Sequence, residues 1–249
     1  MIDTHCHISC DDYDDINSLI LKLVNAGIKK VIVNGYDMKS NLEVLSLVNK
    51  YDIVYGALGF HPNDLDSFND EDITFLEDHI NDDKIVAIGE IGLDYHYDGY
   101  DKNKQIYAFK KQLDIAKKNK KPIIVHSRDA IQDTYDILSG YSLTGSIHAF
   151  SGSVEMAKQF VNLGYYLGVG GVVTYKNGRK LREVLECIDL EYILLETDSP
   201  YLTPEPYRGT KNDSSYIPLI ASKIAEIKEC SFEYVVEITT KNASSLFDF

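Results

Sequence analysis

The chain has 249 residues, 44% of them hydrophobic, and its 25 basic and 39 acidic residues give a formal net charge of −14. This composition is typical of a globular protein with a sizeable core, and no hydrophobic run approaches the roughly 18 residues that a membrane helix needs. The negative charge argues against broad electrostatic adhesion to nucleic acid or anionic lipid, so a substrate that carries phosphate would need a local positive site.

The sequence carries neither a secretion signal nor a pattern of structural disulfides. It begins MIDTHCH, with an acidic residue and histidines where a signal peptide has basic and then hydrophobic residues. The four cysteines, at positions 6, 10, 187 and 230, form no CxxC pair. We therefore expect a cytoplasmic protein with reduced thiols.

Eight short hydrophobic segments recur along the chain at a fairly steady spacing. Several are continuous runs of Val, Ile and Leu, the pattern of strands that are buried on both faces of a parallel sheet. The segments cover residues 1–5, 29–35, 52–59, 84–90, 121–127, 145–150, 165–171 and 192–198.

Helical patterns fill the intervals between these segments. A hydrophobic stripe at helical spacing runs from Ile16 to Val24 and is followed by Gly27, and Ser40 with Glu43 predicts a capping box at the start of the next helix. Further helices are predicted at 103–120, 153–164, 216–229 and 232–247. Eight strands that alternate with helices over residues 1–249 predict a single-domain (β/α)8 TIM barrel, and an open doubly wound sheet is the alternative.

In a barrel, the C-terminal ends of all strands meet at one mouth, and here these ends are unusually polar. His5 and His7 are two residues apart on an extended strand, so both side chains point to one side. Glu90 closes a hydrophobic strand, where a carboxylate is costly without a cation or a donor. The complete set at the strand ends is His5, His7, Asn34, His61, Glu90, His126, His148 and Asp198.

Four of these imidazoles and two carboxylates suffice for two transition-metal ions, each with a position open to water. The set consists of His5, His7, Glu90, His126, His148 and Asp198. The alternative is six separately hydrogen-bonded polar groups in the core. Outside this set, we expect His79 on a solvated helix surface and His96 in a loop, with the substrate rim as the alternative for His96. The long loop at 199–215 is a candidate binding loop.

Six motifs in order resemble those of the TatD family of metal-dependent deoxyribonucleases, within the amidohydrolase-like barrel superfamily. They are DTHCH, GFHP, GEIGLDY, HSRDA, HAFSG and ETDSPYLTP followed by RG, and they extend from residue 3 to about residue 212. The resemblance implies a distorted (β/α)8 barrel with a binuclear metal site.

Carried over motif by motif, the resemblance implies a role for each ligand. His5 and His7 hold one ion together with Asp198, and Glu90 bridges the two ions. The second ion is held by His126 and His148.

The resemblance also implies that Arg208 contacts phosphate and that His61 contacts the substrate. Three departures leave the shape of the rim, and therefore the preferred substrate, open. Asn63 stands where the family often has histidine, Ala149 stands where it has cysteine, and Asn-Asp-Ser at 212–214 replaces Asn-Glu-Pro. None of these departures removes a predicted metal ligand.

The expected chemistry is hydrolysis with two divalent ions, for which Mg, Zn, Mn, Co and Ni all remain candidates. A metal-bound hydroxide would attack phosphorus, with Asp198 as the base and Glu90 holding the ions in place. Arg208 would hold a phosphate oxygen, and Asp94 would orient a ligand or bind the edge of the substrate. For Arg128, an ion pair at the start of a helix is favoured over a second phosphate contact.

Three functions compete. The favoured one is a deoxyribonuclease that trims single-stranded or frayed DNA ends as an exonuclease, acting as a monomer and without a membrane partner. The second is hydrolysis of an ester or amide, such as deacylation of a D-aminoacyl-tRNA, because the same hydroxide could attack a carbonyl. The third is a binding protein on a catalytically inactive barrel, against which the intact ligand set argues.

Overall fold

The structure, a computed structural model, describes residues 1–249 and contains a single eight-stranded sheet. The strands lie parallel and in chain order, each paired with the next. They are β1 (Ile2–Cys6), β2 (Lys30–Asn34), β3 (Val54–Leu58), β4 (Ile85–Asp94), β5 (Ile123–Arg128), β6 (Gly145–Ile147), β7 (Tyr165–Val169) and β8 (Ile193–Leu195). Each overlaps one of the eight predicted segments, and the barrel prediction is confirmed.

Helices connect the strands and cover the sheet. They are α1 (Ile16–Asn25), α2 (Met38–Lys50), α3 (Asp70–His79), α4 (Lys102–Asn119), α5 (Ile131–Leu138), α6 (Val154–Asn162), α7 (Arg179–Cys187), α8 (Ile217–Lys228) and α9 (Phe232–Phe247). One continuous cluster of buried hydrophobic side chains joins the strands to these helices. No helix has both the length and the hydrophobicity that would let it cross a membrane.

A second, smaller hydrophobic cluster shows how the strands place their polar residues. Alternate side chains of a barrel strand face the interior, and Ile32, Ile124 and Leu194 belong to this second cluster, which α9 closes with Phe247. Two residues further along the chain, His126 follows Ile124 within β5, and Glu196 follows Leu194 just beyond the end of β8. One end of the interior is therefore hydrophobic, and polar groups follow it toward the other end.

Three helices, α3, α5 and α7, are not among the predicted ones, and two predicted elements differ in detail. The capping box of α2 is formed by Asp37 and Ser40, because Asp37 is the N-cap that accepts from the Ser40 amide while the Ser40 hydroxyl pairs with the Asp37 backbone. Glu43 has no part in it. Strand β4 continues to Asp94, so that Glu90 lies within the strand and not at its end.

Strand β4 is irregular where it passes Glu90. Its register with β5 shifts between Ile88 and Ile91, and Gly92 adopts a φ of +147°. A side chain at Gly92 would place its Cβ 2.0 Å from the carbonyl oxygen of His126. This close approach of the two backbones requires a glycine.

The ring of strands closes less completely between β8 and β1 than elsewhere. The two strands share no ladder, and a single parallel bridge links Cys6 with Ser199. Beside it, the amide of His7 donates to the Ser199 carbonyl at 2.7 Å and the amide of Asp198 donates to the His5 carbonyl at 2.9 Å. We call this contact of residues 3–7 with residues 195–199 the β1–β8 junction.

Candidate metal centre

Four side chains converge where β1, β4 and the segment after β8 meet. The Nε2 atoms of His5 and His7 lie 3.3 Å apart, and each lies 3.4–3.5 Å from Oε2 of Glu90 and 3.7 Å from Oδ1 of Asp198. A tetrahedral ion with bonds of about 2.1 Å separates its ligand atoms by about 3.4 Å. The spacing of these four donor atoms therefore fits a transition-metal ion.

The second oxygen of Glu90 faces a different group of histidines. Its Oε1 lies 2.9 Å from Nδ1 of His126, 3.7 Å from Nε2 of His61 and 3.9 Å from Nε2 of His148. The two oxygens of one carboxylate thus point to two separate sets of nitrogen donors.

His148 lies between these two groups. Its Nε2 is 3.6 Å from Oδ1 of Asp198, and its ring stacks on that of His5 with centroids 3.5 Å apart. Sequence analysis pairs His148 with His126, but the structure gathers His148 with His5 and Asp198 and gathers His126 with His61 and Glu90. All six predicted ligands therefore meet in one place, and His61 joins them as a further donor that could hold an ion.

Neighbouring groups fix the orientation of two of these rings. Oδ2 of Asp94 lies 3.2 Å from Nε2 of His126 and accepts a hydrogen bond from the side-chain amide of Asn63. Nδ1 of His7 lies 2.9 Å from the Asn34 carbonyl. Contacts of this kind set the orientation and the tautomer of a ligating histidine. Asp94 thus contacts His126, and Asn63, one of the departures from the family motif, holds Asp94.

Glu196 is a buried carboxylate that sequence analysis does not identify. Its Oε1 lies 3.1 Å from Nδ1 of His148 and accepts a 2.6 Å hydrogen bond from the Ala149 amide. A Cβ at Gly168 would lie only 2.1 Å from its other oxygen. The available signal is its place two residues after the buried Leu194, within the strand predicted at 192–198.

The electrostatics of the cluster show how strongly its carboxylates require positive charge. Burial raises the pKa of Glu90, but the neighbouring imidazoles outweigh burial and hold that pKa well below its usual range. For the histidine the effect of burial has the opposite sign and lowers the pKa of His148, but the charges of Glu196 and Asp198 outweigh burial and raise that pKa to about 10. Nitrogen donors and carboxylates at these spacings fit divalent cations, which would take the place of the protons on the histidines.

The metal centre lies in a cavity of about 830 Å³ that opens at the C-terminal ends of the strands. Six carboxylates line it, those of Asp12, Asp64, Glu90, Asp94, Glu196 and Asp198. Two cationic side chains, Arg128 and Lys180, line it as well. Positive charge at the mouth therefore has to come from bound ions together with these two residues.

Several predicted contacts lie elsewhere than expected. Arg208 does not line the cavity, because its guanidinium lies 4.3 Å above the ring of Tyr175. Arg128 forms no ion pair, although sequence analysis favours one. Instead, its Nη1 donates to the Tyr97 hydroxyl at 3.3 Å. His96 contacts Asp129 outside the cavity, as expected for a loop residue.

Comparisons with known proteins agree on one family. The family model described as TatD related DNase matches residues 2–248. The chain is 39% identical to the uncharacterized metal-dependent hydrolase YabD of Bacillus subtilis, over 99% of this chain and 98% of that protein. It is 33% identical to the uncharacterized metal-dependent hydrolase YcfH of Escherichia coli, over 99% and 95%. The crystal structure of YjjV, a TatD homologue from Escherichia coli, superimposes with a TM-score of 0.95 at 32% identity, over 100% of this chain and 98% of that one.

Proposed function

The chain belongs to the family of TatD-related DNases and is a metal-dependent hydrolase, and from this premise we propose that it is a deoxyribonuclease that trims single-stranded or frayed DNA ends. The observation that carries the proposal is the position of Glu90. Its two oxygens face two separate groups of histidines inside an open cavity. A shared carboxylate of this kind is typical of two-metal sites for phosphodiester hydrolysis.

We assign the ligands as the sequence motifs imply. His5, His7 and Asp198 would hold one ion, and His126 would hold the other together with His148, which lies between the two groups and 3.9 Å from Oε1 of Glu90. Glu90, whose two oxygens face both groups, would serve both ions. When bound, divalent ions lower the pKa of a coordinated water and neutralise charge on the phosphate. Mg, Zn, Mn, Co and Ni all remain candidates.

Asp198 is the proposed proton acceptor. It is partly buried, yet the charges of His148 and His5 and a hydrogen bond with His7 outweigh the effect of burial and lower its pKa, so it is a carboxylate at neutral pH. Its backbone has a φ of +56°, in the left-handed region that aspartate tolerates better than most residues. The bond from its amide to the His5 carbonyl holds it beside the histidines.

Two further side chains are proposed to act at the edge of the reacting group. His61 lines the cavity 3.7 Å from Oε1 of Glu90 and is positioned to contact the substrate. Asp94 lines the same wall and orients His126. Arg208 could contact a phosphate only after leaving the ring of Tyr175.

The test combines elemental analysis with hydrolysis of a 5′-labelled strand. We expect two equivalents of metal per chain after incubation with Mg, Mn, Co or Zn, and faster hydrolysis of a single strand or a frayed end than of a blunt duplex. Activity should fall as the salt concentration rises, since salt screens the attraction between the phosphates and the positive charge at the mouth. Metal content that never exceeds one equivalent would contradict the binuclear site, and equal rates on both substrates would contradict the preference for ends.

Hydrolysis of an ester or amide is the second candidate, and the acidic lining of the cavity favours it. Six carboxylates against two cationic side chains suit an uncharged scissile group better than a polyanion. Assays on a panel of esters and amides, including a D-aminoacyl-tRNA, separate the two functions. Turnover of a carbonyl substrate without hydrolysis of any phosphodiester would favour this alternative.

A further inference from the structure

The charges around the mouth of the cavity are distributed unevenly. Arg128 lies at the end of β5 and Lys180 near the start of α7, which follows β7, so both cationic side chains lie on the β5–β7 side. The opposite side, from β8 through β1 to β3, has two acidic side chains at its rim, Asp12 after β1 and Asp64 after β3.

Aromatic residues accompany the acids on that opposite side. Tyr36 follows β2 and Tyr201 follows β8, and both line the cavity. Among the side chains that line the cavity, a phosphate chain that crossed this side would meet two carboxylates and no cation, and Lys211 just outside the cavity is hydrogen-bonded to the Asp12 carbonyl. A chain that crossed the β5–β7 side would meet two cations.

Neither cation is neutralised within the protein. None of the salt bridges in the structure includes Arg128 or Lys180, although acidic residues outnumber basic ones by 39 to 25. Arg128 is instead held against Tyr97, with its guanidinium 5.3 Å from the centre of the ring. By contrast, Arg179, the neighbour of Lys180, pairs with Glu183 at 2.7 Å and does not line the cavity.

We propose that Arg128 and Lys180 each bind a backbone phosphate of the substrate, so that the DNA strand leaves the metal centre across the β5–β7 side. This proposal rests on the proposed nuclease function and adds the path of the strand. Arginine and lysine both bind phosphate through charge-assisted hydrogen bonds. On the opposite side, Asp12 and Asp64 repel the continuing chain, which confines the substrate to a strand with a free end.

The test measures binding separately from turnover. A fluorescent phosphorothioate oligothymidylate, which resists hydrolysis, is titrated with the protein in Mg²⁺ over a series of salt concentrations. Each phosphate contact to a single strand contributes about 0.7 to the slope of log Kobs against log salt. We expect Arg128→Gln and Lys180→Gln each to lower the slope by about 0.7, and the double variant to lower it by about 1.4.

Arg179→Gln is the matched control, since it removes a cation next to Lys180 that does not line the cavity. Its slope should equal that of the wild-type protein. All of these side chains are exposed, and thermal melting verifies that each variant folds. Slopes in Arg128→Gln and Lys180→Gln that match the control would overturn the proposal, and so would a loss in Arg208→Gln larger than that in Lys180→Gln.

Hydrolysis of the unmodified strand by the wild-type protein separates this proposal from the function on which it rests. Hydrolysis together with unchanged slopes in the two variants refutes the phosphate contacts alone. If the slope of log Kobs is reduced in the two variants but the wild-type protein hydrolyses no phosphodiester, the nuclease function is refuted and the two contacts to phosphate stand.

Discussion

Glu90 is a buried carboxylate and Asp198 a partly buried one of the same candidate centre, and their surroundings give them different tasks. Asp198→Asn keeps an oxygen ligand that cannot take up a proton, so we expect at least one bound metal and a kcat reduced about 10²-fold or more. Glu90→Ala removes both oxygens that link the histidine groups and should lose bound metal first and activity as a consequence.

Metal content and kcat, measured side by side on the two variants, check this assignment, and circular dichroism serves as the control for folding. Near-normal kcat in Asp198→Asn with both metals bound would leave Asp198 as a ligand only. The base would then have to be sought elsewhere in the mouth, and His61, 3.7 Å from Glu90, is the next candidate.

The raised pKa of His148 predicts that metal binding releases a proton. With a pKa of about 10, its ring is protonated at pH 7 in the metal-free protein, whereas a metal ligand must be neutral. Metal affinity should therefore increase with pH up to about 10, by about tenfold per pH unit for each proton released. Calorimetry in buffers of different ionisation enthalpy counts these protons.

Glu196→Gln tests the cause of that shift. Replacing the carboxylate beside His148 lowers the pKa of the ring, so fewer protons should be released at a given pH. A pH dependence identical to that of the wild-type protein would show that Glu196 does not act on His148. The same measurement on Asp82→Asn, which removes an exposed partner of His79 remote from the cavity, is the control.

At the scale of secondary-structure elements, the contact between β4 and β5 depends on Gly92. In Gly92→Ala the new methyl group would lie 2.0 Å from the His126 carbonyl oxygen, so the two strands have to separate. We expect the free energy of unfolding in urea to fall by at least about 2 kcal/mol. Gly140→Ala, whose Cβ would lie 3.4 Å from the nearest atom, should change it by less than about 1 kcal/mol. Equal values would contradict the close approach.

The sequence predicts the strands better than the helices, for physical reasons. Strands buried on both faces are continuous hydrophobic runs, and a run marks each of the eight. Helices α5 and α7 are short, and their N-cap residues, Ala130 and Gly178, form no side-chain cap, so no capping signal marks these helices. The extension of β4 past Glu90 depends on an irregular register with β5, which hydrophobic periodicity does not encode.

For the candidate site too, the sequence predicts the positions of strand residues better than those of loop and helix residues. The six proposed ligands lie in the strands or soon after them, where the barrel itself brings them together, so the sequence predicts that these side chains converge. Arg208 lies in a loop, and nothing in the spacing of residues fixes where a loop carries its side chain. Lys180 belongs to α7, which the sequence does not indicate, so its position at the mouth emerges only from the structure.

The molecule as a whole keeps stability and chemistry at opposite ends of the barrel. At one end, the interior is filled by hydrophobic side chains of the strands and closed by Phe247 of α9. At the other end, carboxylates and imidazoles lie close together, and this arrangement lowers the free energy of unfolding unless bound cations offset the charge. Substitutions at the first end should therefore change stability, and those at the second should change metal binding and turnover.

The β1–β8 junction links the stability of the barrel with metal binding. The ring closes there through a single bridge, and the residues on its two sides, His5 and His7 on one and Asp198 on the other, are proposed ligands of one ion. An ion held between them joins the first strand of the barrel to the last. At a metal concentration about 100 times Kd, backbone amides of β1 and β8 that exchange hydrogen through opening of the junction should exchange about 100-fold more slowly. Mass spectrometry of deuterium uptake with and without Mn²⁺ measures this change in exchange rate, with β3 as the internal reference. Equal uptake in both conditions would mean that the barrel stays closed without its metal.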